Sequence, residues 1–317
     1  MSQLYLGIDG GQSSTRALIA TDSGRVIGSG RSGPCNHVRT SEGRAKFIDA
    51  ISGCIEEACG EAGIDASTVM FEAVCLGYSG GPEDKEAYSR ELIRSGKYKI
   101  THDAEIALSG ATAGRPGIIV IAGTGSMVFG RNAAGQTARA GGWGYIFGDE
   151  GGGFDLTRRA LRAALQYEEG WHGPTALRGL LLESTGARDA NDLLHRFYTA
   201  EYTRTKIAGL APLVTRAAEE GDEVARDILN AAAGELVSFA RRVYQQLFQA
   251  DEDVAIAHVG GVFQSAPLLA CFKERVRALI SCEVCAPRFD PAAGAVLEAL
   301  RLNGNQSELS NVPKSEK

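Results

Sequence analysis

One structural pattern occurs twice in this sequence. The first copy runs from Tyr5 to Gly30 and the second from Ile118 to Gly142. In each copy an apolar run ends at glycines and hydroxyl residues, and a polar turn that contains glycine then separates two further strand-like runs. Apolar runs joined by small polar turns are typical of antiparallel strands. The repetition therefore predicts two similar β-sheets, one in each half of the chain.

Helical and strand patterns alternate after both copies. After the first copy, apolar periodicity predicts a helix over 44–60, a strand over 73–77, a helix from Glu83 and a strand over 99–101. After the second copy it predicts mainly helix over 154–249, a strand over 255–259, a helix over 266–280, a short strand and a last helix over 292–300. The expected fold class is therefore α/β. Two such halves would hold ligands in a cleft where the glycine turns of both face each other.

Composition and charge exclude several classes of protein. The chain has 317 residues, of which 44% are hydrophobic and 23% charged, as in an ordinary globular protein of one or two domains. A formal net charge of −6 without a basic tract argues against a nucleic-acid partner. The longest apolar run, 118–122, is too short to span a membrane.

The cysteines and the two ends of the chain indicate the compartment and the extent of the folded part. The N-terminus lacks the pattern of a signal peptide, and seven scattered cysteines favour reduced thiols in a cytoplasmic protein. Cys282 and Cys285 form an isolated C-x-x-C, which is weak support for a metal site. The polar residues after Arg301 predict a disordered tail over 302–317.

Three glycine loops follow apolar strands, at 9–15, 121–127 and 258–263. The first two lie in the repeated unit, so we interpret them as hairpin turns whose N–H groups and hydroxyls bind a polyphosphate. The third, with the helix after it, would pack against a flat apolar group such as a purine. The alternative is that all three are structural turns. None of them matches a P-loop or a Rossmann dinucleotide motif.

An acid, Asp9, lies directly before the first glycine pair. A carboxylate beside an anion site is repulsive unless a cation lies between the two charges. The opening of the chain therefore predicts phosphate together with Mg²⁺.

A second acid, Asp103, follows a short strand and opens a helical run in ITHDAEIA. Aspartate is favoured as a helix N-cap, where its oxygen accepts a backbone N–H. The other interpretation is a general base that deprotonates a hydroxyl attacking a phosphorus atom. The two roles are compatible.

A glycine-rich segment and one loop offer further polar contacts. The segment 141–155 holds seven glycines, so it is neither a regular helix nor a strand. Within it Trp143 is either core or a pocket wall, and Asp149 with Glu150 either binds ligand hydroxyls or caps the next helix. Asn36, in PCNH, is either a turn residue or a side chain that hydrogen-bonds an amide or hydroxyl group of a ligand.

These motifs occur in an order that resembles a known family. LGIDGGQSST, PCNH, LGYSGG, THDA, AGTGS, GGWGYIFGDEG and HVGGVF follow one another as in the N-acetylglucosamine kinases of the BadF/BadG/BcrA/BcrD ATPase family. This family belongs to the superfamily of sugar kinases, heat-shock chaperones and actin. The resemblance extends from Leu4 to Leu300, and its most specific part is GGWG-x-x-x-GDEG.

The resemblance implies two ribonuclease-H-like (actin-like ATPase) domains with nucleotide and sugar in the cleft between them. We expect these domains at 1–112 and at 113–301, the second with a helical insertion. The implied cofactors are ATP and Mg²⁺, with Asp9 at the metal. Three groups of residues match the ATP site: Gly10, Gly11, Gln12, Ser13 and Thr15 in the first loop; Gly123, Thr124, Gly125 and Ser126 in the second; and Gly260 and Gly261 at adenosine.

The resemblance also implies a catalytic residue and a sugar site. Asp103 matches the base that accepts a proton from the 6-hydroxyl of the sugar. The residues that match sugar contacts are Asn36, Ser79, Gly80, Asp103, Trp143 and Asp149. A homodimer is plausible by the same resemblance.

The expected reaction is ATP-dependent phosphorylation of an amino sugar at its 6-hydroxyl, with N-acetylglucosamine as the first expectation. Glucosamine and N-acetylmuramic acid are alternative substrates. For glucosamine we would expect an acid near the 2-position, and Glu150 or Glu105 could serve. A regulatory or activator ATPase is the alternative from another class. Asp103 argues against it, because a switch does not need a base. A plain sugar-binding module is a third, which the three nucleotide loops disfavour.

Overall fold

The computed structural model describes residues 3–35, 38, 40–171 and 173–314. These residues form two units, Met1–Arg115 with Pro287–Lys317 and Pro116–Ala286. The division differs from the expected boundaries of 112 and 301, because the C-terminal helix returns to the first unit.

Strands and helices alternate along the described chain. The strands are β1 (Leu4–Gly10), β2 (Thr15–Thr21), β3 (Val26–Ser32), β4 (Phe71–Tyr78), β5 (Ser95–His102), β6 (Gly117–Ala122), β7 (Ser126–Arg131), β8 (Thr137–Gly141), β9 (Val254–Val259) and β10 (Cys282–Cys285). The helices are α1 (Ser41–Ala62), α2 (Glu86–Leu92), α3 (Asp103–Ala111), α4 (Gly153–Glu168), α5 (Ala176–Thr185), α6 (Ala190–Phe197), α7 (Arg204–Ala208), α8 (Pro212–Glu219), α9 (Glu223–Leu247), α10 (Ala266–Arg277) and α11 (Pro291–Leu302).

The predicted α/β class and the predicted repeat are both confirmed. The first sheet has the order β3-β2-β1-β4-β5 and the second β10-β9-β6-β7-β8. In each sheet the three strands of the repeated unit are antiparallel, and two parallel strands extend it on the side of the first strand. The two sheets therefore have the same topology.

Local sequence explains the ends and the buried face of α1. Thr40 is its N-cap and accepts the N–H of Gly43 at 3.0 Å, and Gly63 ends the helix in the left-handed conformation at φ 67°. Its apolar stripe, which includes Phe47 and Ile51, packs on one face of the first sheet.

The other face of the first sheet is covered by α3 and α11, which pack closely. A Cβ on Gly294 would overlap the backbone of α3 at Ile106 and Gly110. This approach brings the last helix onto the first sheet, where Val296 and Leu300 join its core. Small residues at such a contact permit it, and the close packing is why α11 belongs to the first unit.

The described residues after α11 are ordered against the β2–β3 hairpin, although a disordered tail was expected from 302 onward. The N–H of Val26 donates to the carbonyl of Ser310 at 3.0 Å, and Leu309 is buried. The amide of Asn311 donates to the carbonyl of Val26 at 2.8 Å. Backbone hydrogen bonds and the buried Leu309 therefore order a segment whose polar composition predicts a disordered tail.

Two global features bear on the sequence expectations. Among the described residues, none of the helices combines the length and the apolar character needed to cross a bilayer. All seven cysteines are free thiols, of which Cys35, Cys54, Cys59 and Cys75 are buried in the first unit.

Candidate active site

The first glycine loop, Gly10–Thr15, joins β1 to β2 as a tight hairpin. The N–H of Gly11 donates to the carbonyl of Ser14 at 3.0 Å. A Cβ on Gly10 would lie 2.5 Å from the ring of Tyr78, so only glycine fits there. Gln12 and Ser13 are exposed at the tip of the loop. The loop therefore presents its tip to solvent while its base is fixed by packing.

Thr15 has a structural role in this loop. Its side chain is fully buried, and its hydroxyl donates to the carbonyl of Gly33 at 2.9 Å. That hydrogen bond joins β2 to the chain that leaves β3. Of the two hydroxyl residues matched to phosphate in this loop, Ser13 is the exposed one.

Asp9 lies in a cluster of charged side chains at the end of β1. Burial, and to a smaller extent the carboxylates of Asp103 and Asp290, raises the pKa of its carboxyl to about 7. The guanidinium of Arg16, its partner across the sheet, acts in the opposite direction. These three carboxyl groups do not form a ready-made metal site, since the described residues contain no group of three or more His, Cys, Asp or Glu side chains that could hold a metal ion.

Arg16 is itself committed to Asp290. One of its terminal nitrogens pairs with the Asp290 carboxylate, and the other donates to the carbonyl of Pro313 at 3.2 Å. The Nε of Arg16 is buried without a hydrogen-bond partner among the described residues. Asp290 also accepts the N–H of Ala293 as the N-cap of α11.

Asp103 is the first residue of α3, directly after β5. Its carboxylate accepts the N–H of Ala104 at 2.8 Å and stays partly exposed. The N-cap position belongs to His102, so Asp103 stabilises the helix start from one residue further in. The predicted strand-to-helix junction is confirmed, and it places a carboxylate where it can contact a ligand.

Two further positions matched to sugar lie after β4. The N–H of Ser79 donates to the carbonyl of Gly10 at 3.1 Å, which joins this segment to the first glycine loop. Gly80 and Gly81 are both left-handed, at φ 77° and 93°, so the turn requires glycine. Asn36, the fourth predicted sugar contact of this unit, lies outside the described residues.

In the second unit, the second glycine loop, Gly123–Ser126, packs against the glycine-rich segment. The N–H of Gly153 donates to the carbonyl of Gly123 at 2.8 Å, and the N–H of Phe154 donates to that of Thr124 at 3.0 Å. A Cβ on Gly152 would lie 2.7 Å from the backbone of Gly125. The glycine density of 141–155 is thus explained by close contact between two backbones.

Asp149 lies beside this loop with a strained backbone. It is 4% exposed and has a left-handed φ of 65°, which is uncommon for a residue other than glycine. Its carboxylate pairs with the guanidinium of Arg204, and both groups lie where a Cβ on Gly125 would be. A bent backbone and an ion pair together hold Asp149 against the second glycine loop.

Trp143 is not a core residue. Its side chain is 66% exposed, and the guanidinium of Arg139 lies 4.8 Å from the centre of its ring. Ile146 and Phe147, in the same segment, are also exposed. The core interpretation of Trp143 is therefore wrong, and the ring is accessible to a ligand.

The third glycine loop lies next to the second. Gly260 is left-handed at φ 112°, and a Cβ there would overlap the carbonyl of Ala122. Gly261 then begins the turn that leads into α10. This contact places the third loop beside the start of the second.

The two loops line one cavity of about 550 Å³ in the second unit. Its lining includes Gly123 and Thr124 of the second loop, Gly261 of the third, Ser265 before α10 and Arg216 of α8. The volume falls in the range of small-molecule sites. The hydroxyl of Ser265 is buried and has no hydrogen-bond partner among the described residues, so it is available to a ligand.

Glu105, one of the two acids considered for a free amine, is already engaged. Its carboxylate pairs with the ammonium of Lys99 at 2.7 Å and accepts the hydroxyl of Thr101. An acid with a cation beside it has less attraction left for a second cation.

Two functional candidates gave no signal in the sequence. Arg204 meets Asp149 from 55 positions away along the chain, so no local pattern announces it. Ser265 reads as a common helix N-cap, and only its unused hydroxyl marks it.

The sequence from residue 6 to residue 299 matches the BadF/BadG/BcrA/BcrD ATPase family. The chain belongs to this family. The N-acetylmuramic acid/N-acetylglucosamine kinase of Clostridium acetobutylicum is 36% identical over 266 residues, which are 82% of this chain and 85% of that protein. The N-acetyl-D-glucosamine kinase of Dictyostelium discoideum is 29% identical over 314 residues, 94% of this chain and 98% of that protein.

The fold is also similar to that of solved members. A crystal structure from Chromobacterium violaceum, provisionally described as an N-acetylglucosamine kinase, superposes with a TM-score of 0.74 at 30% identity. It covers 93% of this chain, and this chain covers 98% of it. The family predicted from the motifs is thereby confirmed, and the two-unit α/β architecture with it.

Proposed function

We propose that this chain is an ATP-dependent kinase that phosphorylates an amino sugar at its 6-hydroxyl, with N-acetylglucosamine as the substrate. The observation that carries the proposal is the position of Asp103. It begins α3 with a partly exposed carboxylate, in the charged cluster that contains Asp9. A regulatory ATPase needs no such base, whereas transfer to a hydroxyl does.

Asp103 accepts the proton of the attacking hydroxyl in this mechanism. Its hydrogen bond from the N–H of Ala104 holds the carboxylate in one orientation, and the start of α3 stabilises its charge. Removing the hydroxyl proton as the oxygen attacks the γ-phosphorus avoids a charged, protonated intermediate.

The second unit holds the nucleotide. In this proposal the second glycine loop would contact the phosphates, and the cavity lined by this loop and the third would accept adenosine. The free hydroxyl of Ser265 donates to or accepts from the nucleoside, since a buried hydroxyl is otherwise costly. Gly261 leaves open space for it, because a Cβ there would meet no atom within 4 Å.

In this proposal Asp9 alone would hold Mg²⁺. The described residues offer no group of three or more possible metal ligands, so the other ligands would be waters and phosphate oxygens. Oxygen donors suit Mg²⁺, which in nucleotide sites uses one or two carboxylates, waters and phosphate oxygens. When bound, the ion offsets charge on the phosphates. Asp9 would hold the ion at the end of β1, where it could make this contribution.

We take N-acetylglucosamine rather than glucosamine as the substrate because both relatives described above are named as kinases of N-acetylglucosamine. Of the two acids considered for a free ammonium, Glu150 and Glu105, Glu105 is the one that is already paired. The ion pair with Lys99 leaves this acid a poor partner for a free ammonium, while an acetamide needs no acid. Seven free cysteines are consistent with a cytoplasmic enzyme.

An ADP-release assay with Mg·ATP tests this function across N-acetylglucosamine, glucosamine, N-acetylmuramic acid, N-acetylmannosamine and glucose. We expect release to depend on the sugar and to be fastest with N-acetylglucosamine. Faster turnover of glucosamine would overturn the substrate assignment alone. ATP binding without sugar-dependent release would overturn the kinase and favour a regulatory ATPase.

A further inference from the structure

Lys85 is a fully buried lysine between β4 and α2. Its ammonium donates to the carbonyl of Gly81 at 2.9 Å and pairs with the carboxylate of Asp84 at 3.0 Å. It also lies 5.7 Å from the centre of the Tyr78 ring. Burying an ammonium costs several kcal/mol unless the charge is paired, so a lysine at such a position calls for an explanation.

Asp84 extends this contact to a second segment of the chain. While one carboxylate oxygen pairs with Lys85, the other accepts the N–H of Val38 at 3.2 Å. Val38 lies two positions after Asn36 in the sequence. The ion pair therefore joins the turn after β4 to the segment that precedes α1.

The first glycine loop joins the same network through its backbone. The carbonyl of Gly10 accepts the N–H of Ser79, and the carbonyl of Gly11 accepts the N–H of Cys35 at 2.9 Å. The ion pair thus joins two segments, the chain near Val38 and the turn after β4, and the first glycine loop is hydrogen-bonded to the turn at Ser79 and to the chain at Cys35. Two of these segments carry residues matched to the sugar.

The turn after β4 has little rigidity of its own. Gly80 and Gly81 are consecutive left-handed glycines, and glycine gains conformational freedom readily when its contacts are lost. The ammonium of Lys85 holds the carbonyl of Gly81 and thereby fixes the end of this glycine pair.

We propose that the Lys85–Asp84 ion pair is a positioning device for sugar binding, which sets the geometry of the turn at Ser79–Gly80 and of the chain at Val38. Neither residue is catalytic: each acts through the backbone that it holds. This inference rests on the proposed function, since it concerns affinity for the sugar substrate.

Steady-state kinetics of Lys85→Met and Asp84→Asn test the proposal. Methionine keeps the buried stem and removes the ammonium, while asparagine cannot accept from Lys85 and Val38 with two oxygens. We expect the KM for N-acetylglucosamine to rise about tenfold or more, since small misplacements of contact groups are costly, with the KM for ATP changed less than about twofold. Lys46→Met, which breaks the exposed pair of Lys46 with Glu42, serves as the matched control and should change neither KM.

The double variant separates a positioning pair from two independent stabilising residues. If the two residues act as one unit, Lys85→Met with Asp84→Asn should raise the sugar KM about as much as either change alone. A loss of thermal stability with an unchanged sugar KM would overturn the inference while the kinase function stands. If Lys85→Met fails to fold, Asp84→Asn tests the proposal alone, because the side chain of Asp84 is partly exposed. The measurement is again the change in the KM for sugar compared with the change in the KM for ATP. A wild-type chain without any sugar-dependent turnover would overturn the proposed function itself.

Discussion

The two units share one topology but differ in what stands at the end of the first strand of each repeat. The residue before the glycines is Asp9 in the first repeat and Ala122 in the second. In the first sheet Asp9 lies opposite Arg16, and in the second sheet Ala122 lies opposite Ser126. The same scaffold therefore carries charged groups in one copy and small uncharged groups in the other.

The connections after each repeat extend this difference. Within the part of the chain that the structure describes, a single helix, α1, lies between β3 and β4 of the first unit, whereas six helices, α4 to α9, lie between β8 and β9 of the second. Those added helices contribute Thr205, Pro212 and Arg216 to the wall of the nucleotide-sized cavity. Under the proposed function, the two copies of the sheet have different tasks: the first unit carries the proposed base Asp103, and the second unit carries the cavity proposed for adenosine.

The largest effect is expected from Asp103→Asn, which tests the first half of this division. The amide keeps the shape and the contact with Ala104 but cannot accept the proton, so kcat should fall by about 10²- to 10⁴-fold. The KM for ATP should change little, because the nucleotide cavity lies in the other unit. Glu56→Gln on the exposed face of α1 is a charge-matched control. Normal turnover by Asp103→Asn would remove this residue as the base.

A smaller effect is expected from alanine in the second glycine loop. At Gly125 the new methyl would overlap Asp149 and Arg204, whereas at Gly123 it would meet no atom within 4 Å. Gly125→Ala should therefore lower the free energy of unfolding by roughly 1–3 kcal/mol and raise the KM for ATP. Gly123→Ala should keep the stability and change only ATP binding. Equal melting temperatures for the two variants would show that the close contact at Gly125 carries no cost.

The smallest effect concerns the pH dependence of stability that Asp9 imposes. Because folding raises the pKa of this carboxyl from its ordinary value of 3.8 to about 7, the folded chain binds a proton there that the unfolded chain has released between those pH values. Stability contributed at this site should therefore fall as pH rises from about 4 to about 7 and then stay constant. Asp9→Asn should remove that fall.

Melting temperatures in metal-free buffer, recorded from pH 4 to pH 8, check this prediction. Asp9→Asn should melt a few degrees above the wild type at pH 8 and close to it at pH 4. If the melting temperature of the wild type instead rises relative to that of Asp9→Asn as the pH rises, the carboxylate at Asp9 is stabilised by its surroundings. That result would contradict the raised pKa.

Much of the fold could be predicted from the sequence because its signals are local. The repeated hairpins, the strands that precede the glycine loops and the start of α3 at Asp103 all follow from periodicity and turn residues over a few positions. Boundaries moved by a few residues: β5 begins at Ser95 rather than at 99, and α2 begins at Glu86 rather than at 83.

What the sequence could not provide depends on contacts between distant residues. The return of α11 to the first unit rests on Gly294 against α3, and the order of the tail rests on pairing with Val26. Lys85 is a further case, since EDKEAY reads as a solvated charge run although its lysine is fully buried. The pair of Asp149 with Arg204 joins residues too far apart for any local pattern.

The most direct test of the account is to identify the product that forms when the wild-type chain, ATP, Mg²⁺ and N-acetylglucosamine are incubated together. Phosphorus and proton NMR would follow the phosphoryl group, with Asp103→Asn measured in parallel. The account predicts N-acetylglucosamine 6-phosphate in equal amount to ADP, and almost none with the variant. Equal amounts of free phosphate and ADP without a phosphorylated sugar, or the same product at the same rate from Asp103→Asn, would contradict it.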